Sequence, residues 1–222
     1  MATRSLLREL CDAYLAQSGV EVRIESVGGV DAAKRVQSGE AFDVVILASD
    51  AIDKLIASGH LAAGSRVDLV TSPISIAIKS GATRAMITPA SRLKDSLLKA
   101  KSISYSTGPS GVYLAQLFEK MGIAEELKAK TIVLSPGIPV GSLVASGEVE
   151  IGFQQRSELI NLEGIEVLGN LPDQVAYITT FSAGIPSASS PASSKAIAQF
   201  VSFANSPQTI SLKQTQGMNP VN

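Results

Sequence analysis

Five short stretches of small, glycine-rich or hydroxyl-bearing residues stand where a strand-like segment is followed by a helix-like one. They cover residues 27–31, 48–50, 107–111, 135–141 and 153–157. Such residues leave the first backbone N–H groups of a helix free to face outward, with the positive end of the helix dipole behind them. Anions favour that environment. Because ligands in open α/β sheets bind at the carboxyl ends of strands, the repetition predicts an anion bound mainly by main chain and hydroxyls.

The same residue types are also ordinary helix caps and turn formers, so each junction taken alone has a structural explanation. Nucleotide binding is not indicated, because residues 107–111 and 136–141 lack the lysine and hydroxyl residue that complete a phosphate-binding loop. No GxGxxG pattern follows the first strand-like segment either. The sequence therefore favours a small anionic ligand, and no cofactor is expected.

The composition removes several other classes of site and partner. A single cysteine, Cys11, excludes an intramolecular disulfide, and a single histidine, His60, excludes a two-histidine metal centre. We expect Cys11 to be a small core residue and His60 to lie on the surface, at the opposite end from the junctions. The net charge of −1 and the 5% of aromatic residues predict no binding of nucleic acid. No run of about twenty apolar residues indicates a membrane span.

The elements that must position these junctions alternate between strand and helix along 222 residues. Residues 6–15 have helical apolar spacing, with Thr3 as a predicted N-cap, and residues 20–27 are predicted to form a strand. Residues 31–38 are predicted to form a helix, and the apolar run 42–48 a buried strand. Continued alternation predicts an α/β fold with mainly parallel sheets and helices on both faces.

Six segments together carry a resemblance to a known family. They cover residues 28–39, 42–49, 52–61, 106–111, 144–152 and 198–207. In their order and spacing, the chain resembles type 2 periplasmic solute-binding proteins of the molybdate-binding-protein-like group, a group that also includes aconitate isomerase-like proteins. The resemblance extends over nearly the whole chain, and it implies two α/β lobes with a ligand cleft between them.

The resemblance also implies boundaries and partners. Lobe 1 would consist of residues 1–74 and 181–222, and lobe 2 of residues 75–180, with crossing strands at 75–78 and 178–181. The group's first strand has no counterpart ahead of the first helix here, so we expect the sequence to begin inside a longer precursor whose leader directs it to the periplasm. The implied partners are a small anion and an ABC-transporter permease, and the implied oligomeric state is a monomer.

Departures from the group bear on the ligand. Relatives that bind tetrahedral oxyanions use small neutral contacts, whereas Arg156 offers a planar, two-pronged donor that suits a carboxylate. Arg4, at the head of the first helix, offers a second guanidinium. We therefore expect an organic di- or tricarboxylate rather than molybdate, while a solvated Arg156 or its pairing with Glu158 is the alternative. The candidate ligand-binding residues are Thr3, Arg4, Gly28, Gly29, Val30, Ala48, Ser49, Ser106, Thr107, Ser110, Gly137, Ile138, Pro139, Gln154, Gln155 and Arg156.

Asp31 leaves two functions open. In the first turn of a helix, a carboxylate simply interacts favourably with the helix dipole. Beside an anion site, it opposes binding unless it is protonated, paired or needed chemically. The favoured function is a non-catalytic solute-binding protein; the alternative is a cofactor-free isomerase of the aconitate isomerase type, with Asp31 as the general base of an allylic proton shift. Tyr105, Tyr113, Ser106 and Thr107 are further candidates for handling a proton.

Overall fold

The computed structural model describes residues 1–135 and 137–221, without the side chains of residues 191–193. Pro136, part of the predicted junction 135–141, lies outside the described residues. The α-helices are Arg4–Ser18 (α1), Gly29–Gln37 (α2), Ser49–Ala57 (α3), Ala90–Lys99 (α4), Pro109–Lys120 (α5), Ala124–Lys128 (α6), Val140–Ser146 (α7), Arg156–Leu159 (α8), Pro191–Ala204 (α9) and Ile210–Thr215 (α10). The strands are Val45–Ala48 (β1), Val67–Lys79 (β2), Ile103–Ser106 (β3), Thr131–Leu134 (β4), Ile151–Gln155 (β5), Ile165–Asn170 (β6), Ile178–Gly184 (β7) and Asn219–Pro220 (β8).

The chain forms two compact units. The first unit consists of Met1–Ser72 and Thr180–Asn222, and the second of Pro73–Thr179. Strands β2 and β7 each run through a boundary, so the backbone passes from one unit to the other within a strand.

The first unit is built on short antiparallel strands. β1 pairs with β7, where Ala48 lies opposite Phe181, and β8 pairs with the beginning of β2. Helix α1 buries one face, and the ring of Tyr14 lies 5.4 Å from that of Phe200 and 5.2 Å from that of Phe203, both in α9. A second apolar cluster packs α2 and α3 against β1, and its buried members are Val36, Val45, Leu47, Ile52, Leu55 and Leu61.

The second unit contains the parallel strands. β3 lies between β4 and β5 and is parallel to both, with Ile103 opposite Thr131 and Ile151. β2 pairs antiparallel with β5 and with β6. The rings of Phe118 and Phe153 lie 6.0 Å apart in the core between this sheet and its helices. Because β3, β4 and β5 are parallel, their carboxyl ends meet at one edge of the sheet.

Three details of the predicted secondary structure are wrong. Residues 20–27 form no strand, because this segment has no ladder partner among the described residues; the N–H of Val20 donates instead to Ser18 Oγ at 3.1 Å. The strand predicted over 42–48 begins only at Val45. The described pairings are mainly antiparallel rather than parallel, because β7 and β8 return to the first unit after long excursions and not through single helical crossovers.

Candidate functional site

The predicted junctions before α2 and α3 lie together in the first unit. The residues before α2 and α3, Gly28 and Ala48, are both buried and have the same extended backbone, with ψ of 142°. A β-carbon on Gly29 would lie 3.9 Å from Leu47 Cδ2, so the start of α2 is next to the end of β1. Neither helix has a side-chain cap hydrogen bond, which leaves first-turn N–H groups without a side-chain partner. Val30 is exposed and Ser49 half-buried.

The head of α1 lies beside the first of these helix starts. The terminal nitrogen of Met1 donates to the carbonyl oxygen of Val27 at 3.4 Å. Arg4 is exposed at the first position of α1. The prediction that the Thr3 side chain caps α1 is wrong, because Thr3 is buried with a helical backbone (φ −88°, ψ −2°) and makes no side-chain cap bond. Its carbonyl oxygen instead accepts from the N–H of Leu7 at 2.8 Å.

In the second unit, the turn from β3 into α5 is held against the end of β4. The N–H of Thr107 donates to the carbonyl oxygen of Leu134, at the end of β4, over 3.2 Å. Ser110 is buried, Ser106 is half-buried and Thr107 is exposed. Helix α5 has no side-chain cap bond, so its start offers the same kind of donors as α2 and α3.

The residues before α7 are connected to the end of β5. Gly137, Ile138 and Pro139 are exposed. The N–H of Gly141 donates to Oε1 of the buried Gln154 at 3.4 Å. The structure therefore brings the fourth and fifth predicted junctions into direct contact.

Gln155 and Arg156 end β5 and begin α8. The buried Gln155 donates through Nε2 to Thr179 Oγ1 at 2.7 Å, while its Oε1 has no partner among the described residues. The amide oxygen of Gln155 can therefore accept a hydrogen bond from a further donor. Arg156 is half-buried and makes no ion pair with Glu158 within the described part of the chain, so the alternative pairing of these two residues is not observed. The guanidinium donors of Arg156 are free among the same residues.

Glu158 lies in α8, two residues after Arg156. Its side chain is half-buried in α8 and hydrogen-bonds with Gln154. Burial is the largest effect on the pKa of the Glu158 carboxyl and raises it above its usual range.

The other candidates for proton handling have different surroundings. Tyr113 donates its hydroxyl to the carbonyl oxygen of Val175 at 3.0 Å and stacks on Tyr177, with ring centroids 4.4 Å apart. Tyr105 packs against Phe118, with ring centroids 6.0 Å apart. Burial raises the pKa of both Tyr105 and Tyr113, which keeps both phenols protonated near neutral pH. Asp31 is exposed in the first turn of α2.

The single cysteine and the single histidine have structural surroundings. Cys11 is buried in the first unit, and burial raises its pKa to about 11, which keeps the thiol neutral. His60 follows α3 and places Nδ1 2.8 Å from Ser58 Oγ. Among the described residues, no three histidine, cysteine or acidic side chains are grouped as a metal site would need. Over the same residues, no helix has the length and apolar character that crossing a membrane requires.

Comparison with known proteins identifies the family. A family model for bacterial extracellular solute-binding proteins matches residues 1–219. The chain belongs to this family. Aconitate isomerase of a Pseudomonas species is 37% identical to this family member over 222 residues, which cover 97% of this chain and 83% of that enzyme.

Solved structures of the family's fold include proteins with different ligands. The periplasmic molybdate-binding protein of Azotobacter vinelandii has a TM-score of 0.81 at 19% identity, over 100% of this chain and 96% of that one. The binding protein AgtB of A. tumefaciens R10, in complex with agropinic acid, has a TM-score of 0.75 at 16% identity, over 99% of this chain and 80% of that one. The family match confirms the predicted family, and these structural likenesses confirm the α/β periplasmic-binding-protein fold class. The fold alone does not select a ligand.

Proposed function

We propose that this protein binds a small polycarboxylate and interconverts the isomers of aconitate by moving one proton along the carbon chain. The observation that carries the proposal is the 37% identity to an aconitate isomerase over 97% of this chain. This relationship extends through both units, so it includes every junction considered above. It is the reason for placing the isomerase ahead of a role in binding alone.

The donors at the junctions support a carboxylate ligand. In the first unit, α2 and α3 begin side by side without side-chain caps, and their N–H groups can interact with an anion. In the second unit, Arg156 has free guanidinium donors in the planar arrangement that matches a carboxylate.

The reaction requires little besides these groups. A base removes a proton from the methylene carbon of aconitate, and the double bond moves by one carbon. A proton is then returned to the CH carbon at the far end of the original double bond. One proton leaves and one arrives, so no oxidant, reductant or cofactor enters the balance. The protein must supply a proton-transfer group and donors that stabilise the negative charge that develops on the neighbouring carboxylates.

A second candidate function is that of a receptor that delivers a carboxylate to a membrane permease. The match of residues 1–219 to an extracellular solute-binding family favours it. An extracytoplasmic location, proposed from the same family, fits both functions. The two differ only in whether the bound molecule is changed.

The deciding experiment is to incubate the purified protein with trans-aconitate and follow the cis isomer by chromatography, with heat-denatured protein as the control. We expect conversion that depends on native protein. Calorimetric binding of aconitate or citrate without conversion would leave the receptor function. Tight binding of molybdate with no response to either acid would contradict both functions.

A further inference from the structure

We propose that Tyr113 is a positioning residue of the candidate site: from α5 it holds residues 175–179, and this segment in turn orients the side chain of Gln155. The inference rests on the proposed function, because it assigns Gln155 a contact with the bound acid. It gives Tyr113 a different role from the proton transfer suggested by the sequence. It also adds Thr179, which the sequence did not single out.

The first step is the contact between α5 and residues 175–177. The Tyr113 hydroxyl donates to the carbonyl oxygen of Val175 at 3.0 Å. The rings of Tyr113 and Tyr177 lie with their centroids 4.4 Å apart and an interplanar angle of 19°, a stacked pair. Because the single phenolic hydrogen is used in the bond to Val175, the Tyr113 side chain holds backbone in place and has no proton left to donate to a ligand.

The segment that Tyr113 contacts has little burial of its own. No residue from 173 to 178 is buried, and Ile178 is 58% exposed. The short 3₁₀-helix Asp173–Val175 at its beginning likewise contains no buried residue. The position of the segment therefore depends on contacts from neighbouring elements, and Tyr113 provides two of them, one polar and one aromatic.

The second step is the contact between the same segment and Gln155. Thr179 Oγ1 accepts a hydrogen bond from Gln155 Nε2 at 2.7 Å, and both residues are buried. The carbonyl oxygen of Tyr177 accepts from the N–H of Ile74 at 3.2 Å, and Ile74 lies opposite Gln155 where β2 pairs with β5. The segment thus contacts Gln155 directly through a side chain and indirectly through the adjacent strand.

These contacts connect two of the predicted junctions within the second unit. Helix α5 begins at the junction 107–111, and Gln155 belongs to the junction 153–157. Because Thr179 engages Nε2, the amide oxygen of Gln155 is the end left for a donor on the ligand, such as the hydroxyl group of citrate. An amide that is already held in place loses less freedom on binding, so affinity should depend on Tyr113 through Gln155.

The test is a double-mutant cycle between Tyr113 and Gln155, measured by titration calorimetry with citrate. Tyr113→Phe keeps the stacked ring and removes only the hydroxyl, and we expect it to weaken binding about 2- to 10-fold. Gln155→Ala should weaken binding about 10-fold. In the Gln155→Ala background, Tyr113→Phe should weaken binding by less than about twofold more, because the residue through which it acts is gone.

Thr131→Val is the matched control. It also removes a hydroxyl bond to a backbone carbonyl oxygen, that of Leu127 at 2.7 Å, in the same unit. Thr131 begins β4, at the opposite end of the parallel strands from the junctions, so the affinity of this variant for citrate should equal that of wild type. If Tyr113→Phe does not fold, Thr179→Val tests the same connection and should show the same non-additivity with Gln155→Ala.

The possible outcomes separate this assignment from the proposed function. Equal weakening by Tyr113→Phe in the wild-type and Gln155→Ala backgrounds would overturn the assignment, because the hydroxyl would then act on stability in general. Citrate binding that Gln155→Ala leaves unchanged would overturn it as well. Wild-type protein that binds trans-aconitate but no citrate would overturn the assignment alone, whereas wild-type protein that binds neither acid would overturn the proposed function too.

Discussion

The carbonyl oxygen of Ser106 lies 1.6 Å from the position that a β-carbon on Gly111 would occupy. Backbone is therefore packed directly against backbone where β3 turns into α5. Only glycine leaves room for that oxygen, and a neighbouring rotamer change cannot relieve the clash because the obstacle belongs to the main chain. The geometry of the Ser106–Gly111 turn thus depends on the absence of one methyl group.

We expect Gly111→Ala to destabilise the protein by about 1–3 kcal/mol or more, because the turn must open to accept the methyl group. Urea unfolding followed by circular dichroism measures the loss. Gly108→Ala is the matched control, since its β-carbon would lie 3.7 Å from Ser106 Oγ, an ordinary contact, and should change stability by less than about 0.5 kcal/mol. Equal stability of Gly111→Ala and wild type would contradict the described turn.

The buried thiol of Cys11 predicts a loss of stability in alkaline solution. Its pKa is raised from 9.0 to about 11 in the folded chain, so folding favours the protonated form. The stabilisation is fully present below pH 9 and is lost as the pH rises towards 11. Between pH 8 and pH 10.5, the unfolding free energy of wild type should fall by about 2 kcal/mol more than that of Cys11→Ala.

Urea unfolding of both proteins at the two pH values measures this difference. Other groups titrate in the same range, but they are common to wild type and variant, so their effects cancel in the comparison. The same pH dependence in both proteins would show that Cys11 is accessible to water. Native protein should also react slowly with an alkylating reagent at pH 8, and unfolded protein quickly.

Local patterns in the sequence were sufficient for much of the fold. The apolar spacing of residues 6–15 predicts most of α1, and the predicted junction at residues 48–50 coincides with the beginning of α3. The strand predicted over 20–27 failed because β-branched alternation describes side chains, whereas a strand also requires a neighbouring backbone to pair with. Pairing of that kind is decided by distant parts of the chain.

The same distinction applies to the candidate site. The order of the junctions was visible because glycine, serine and threonine at helix starts are local signals. The contact of Gly141 with Gln154 depends on the packing of α7 against the end of β5. No local pattern in the sequence reports such packing.

Arg156 is expected to determine the preference for carboxylates. Removing its guanidinium in Arg156→Ala should weaken binding of citrate or aconitate about 10- to 100-fold, the effect of one or two charge-assisted hydrogen bonds. Arg156→Lys keeps the charge without the planar arrangement and should give an intermediate loss. Titration calorimetry measures both variants.

Arg92→Ala is the control for that measurement, because Arg92 is an exposed arginine of α4 in the same unit. Its affinity for carboxylates should equal that of wild type. If Arg156→Ala binds as tightly as Arg92→Ala, Arg156 is a solvated surface residue and the carboxylate preference needs another source. A loss confined to molybdate binding would contradict the proposed ligand class.

Asp31→Asn separates helix stabilisation, ligand repulsion and catalysis. As a first-turn residue of α2, Asp31 should contribute about 0.3–1 kcal/mol through the helix dipole. Carboxylate affinity of Asp31→Asn should stay level or rise, because a negative charge next to the α2 start has been removed. Calorimetry and urea unfolding measure these two effects. A fall of roughly 10²- to 10⁴-fold in aconitate turnover, with binding intact, would instead make Asp31 the general base.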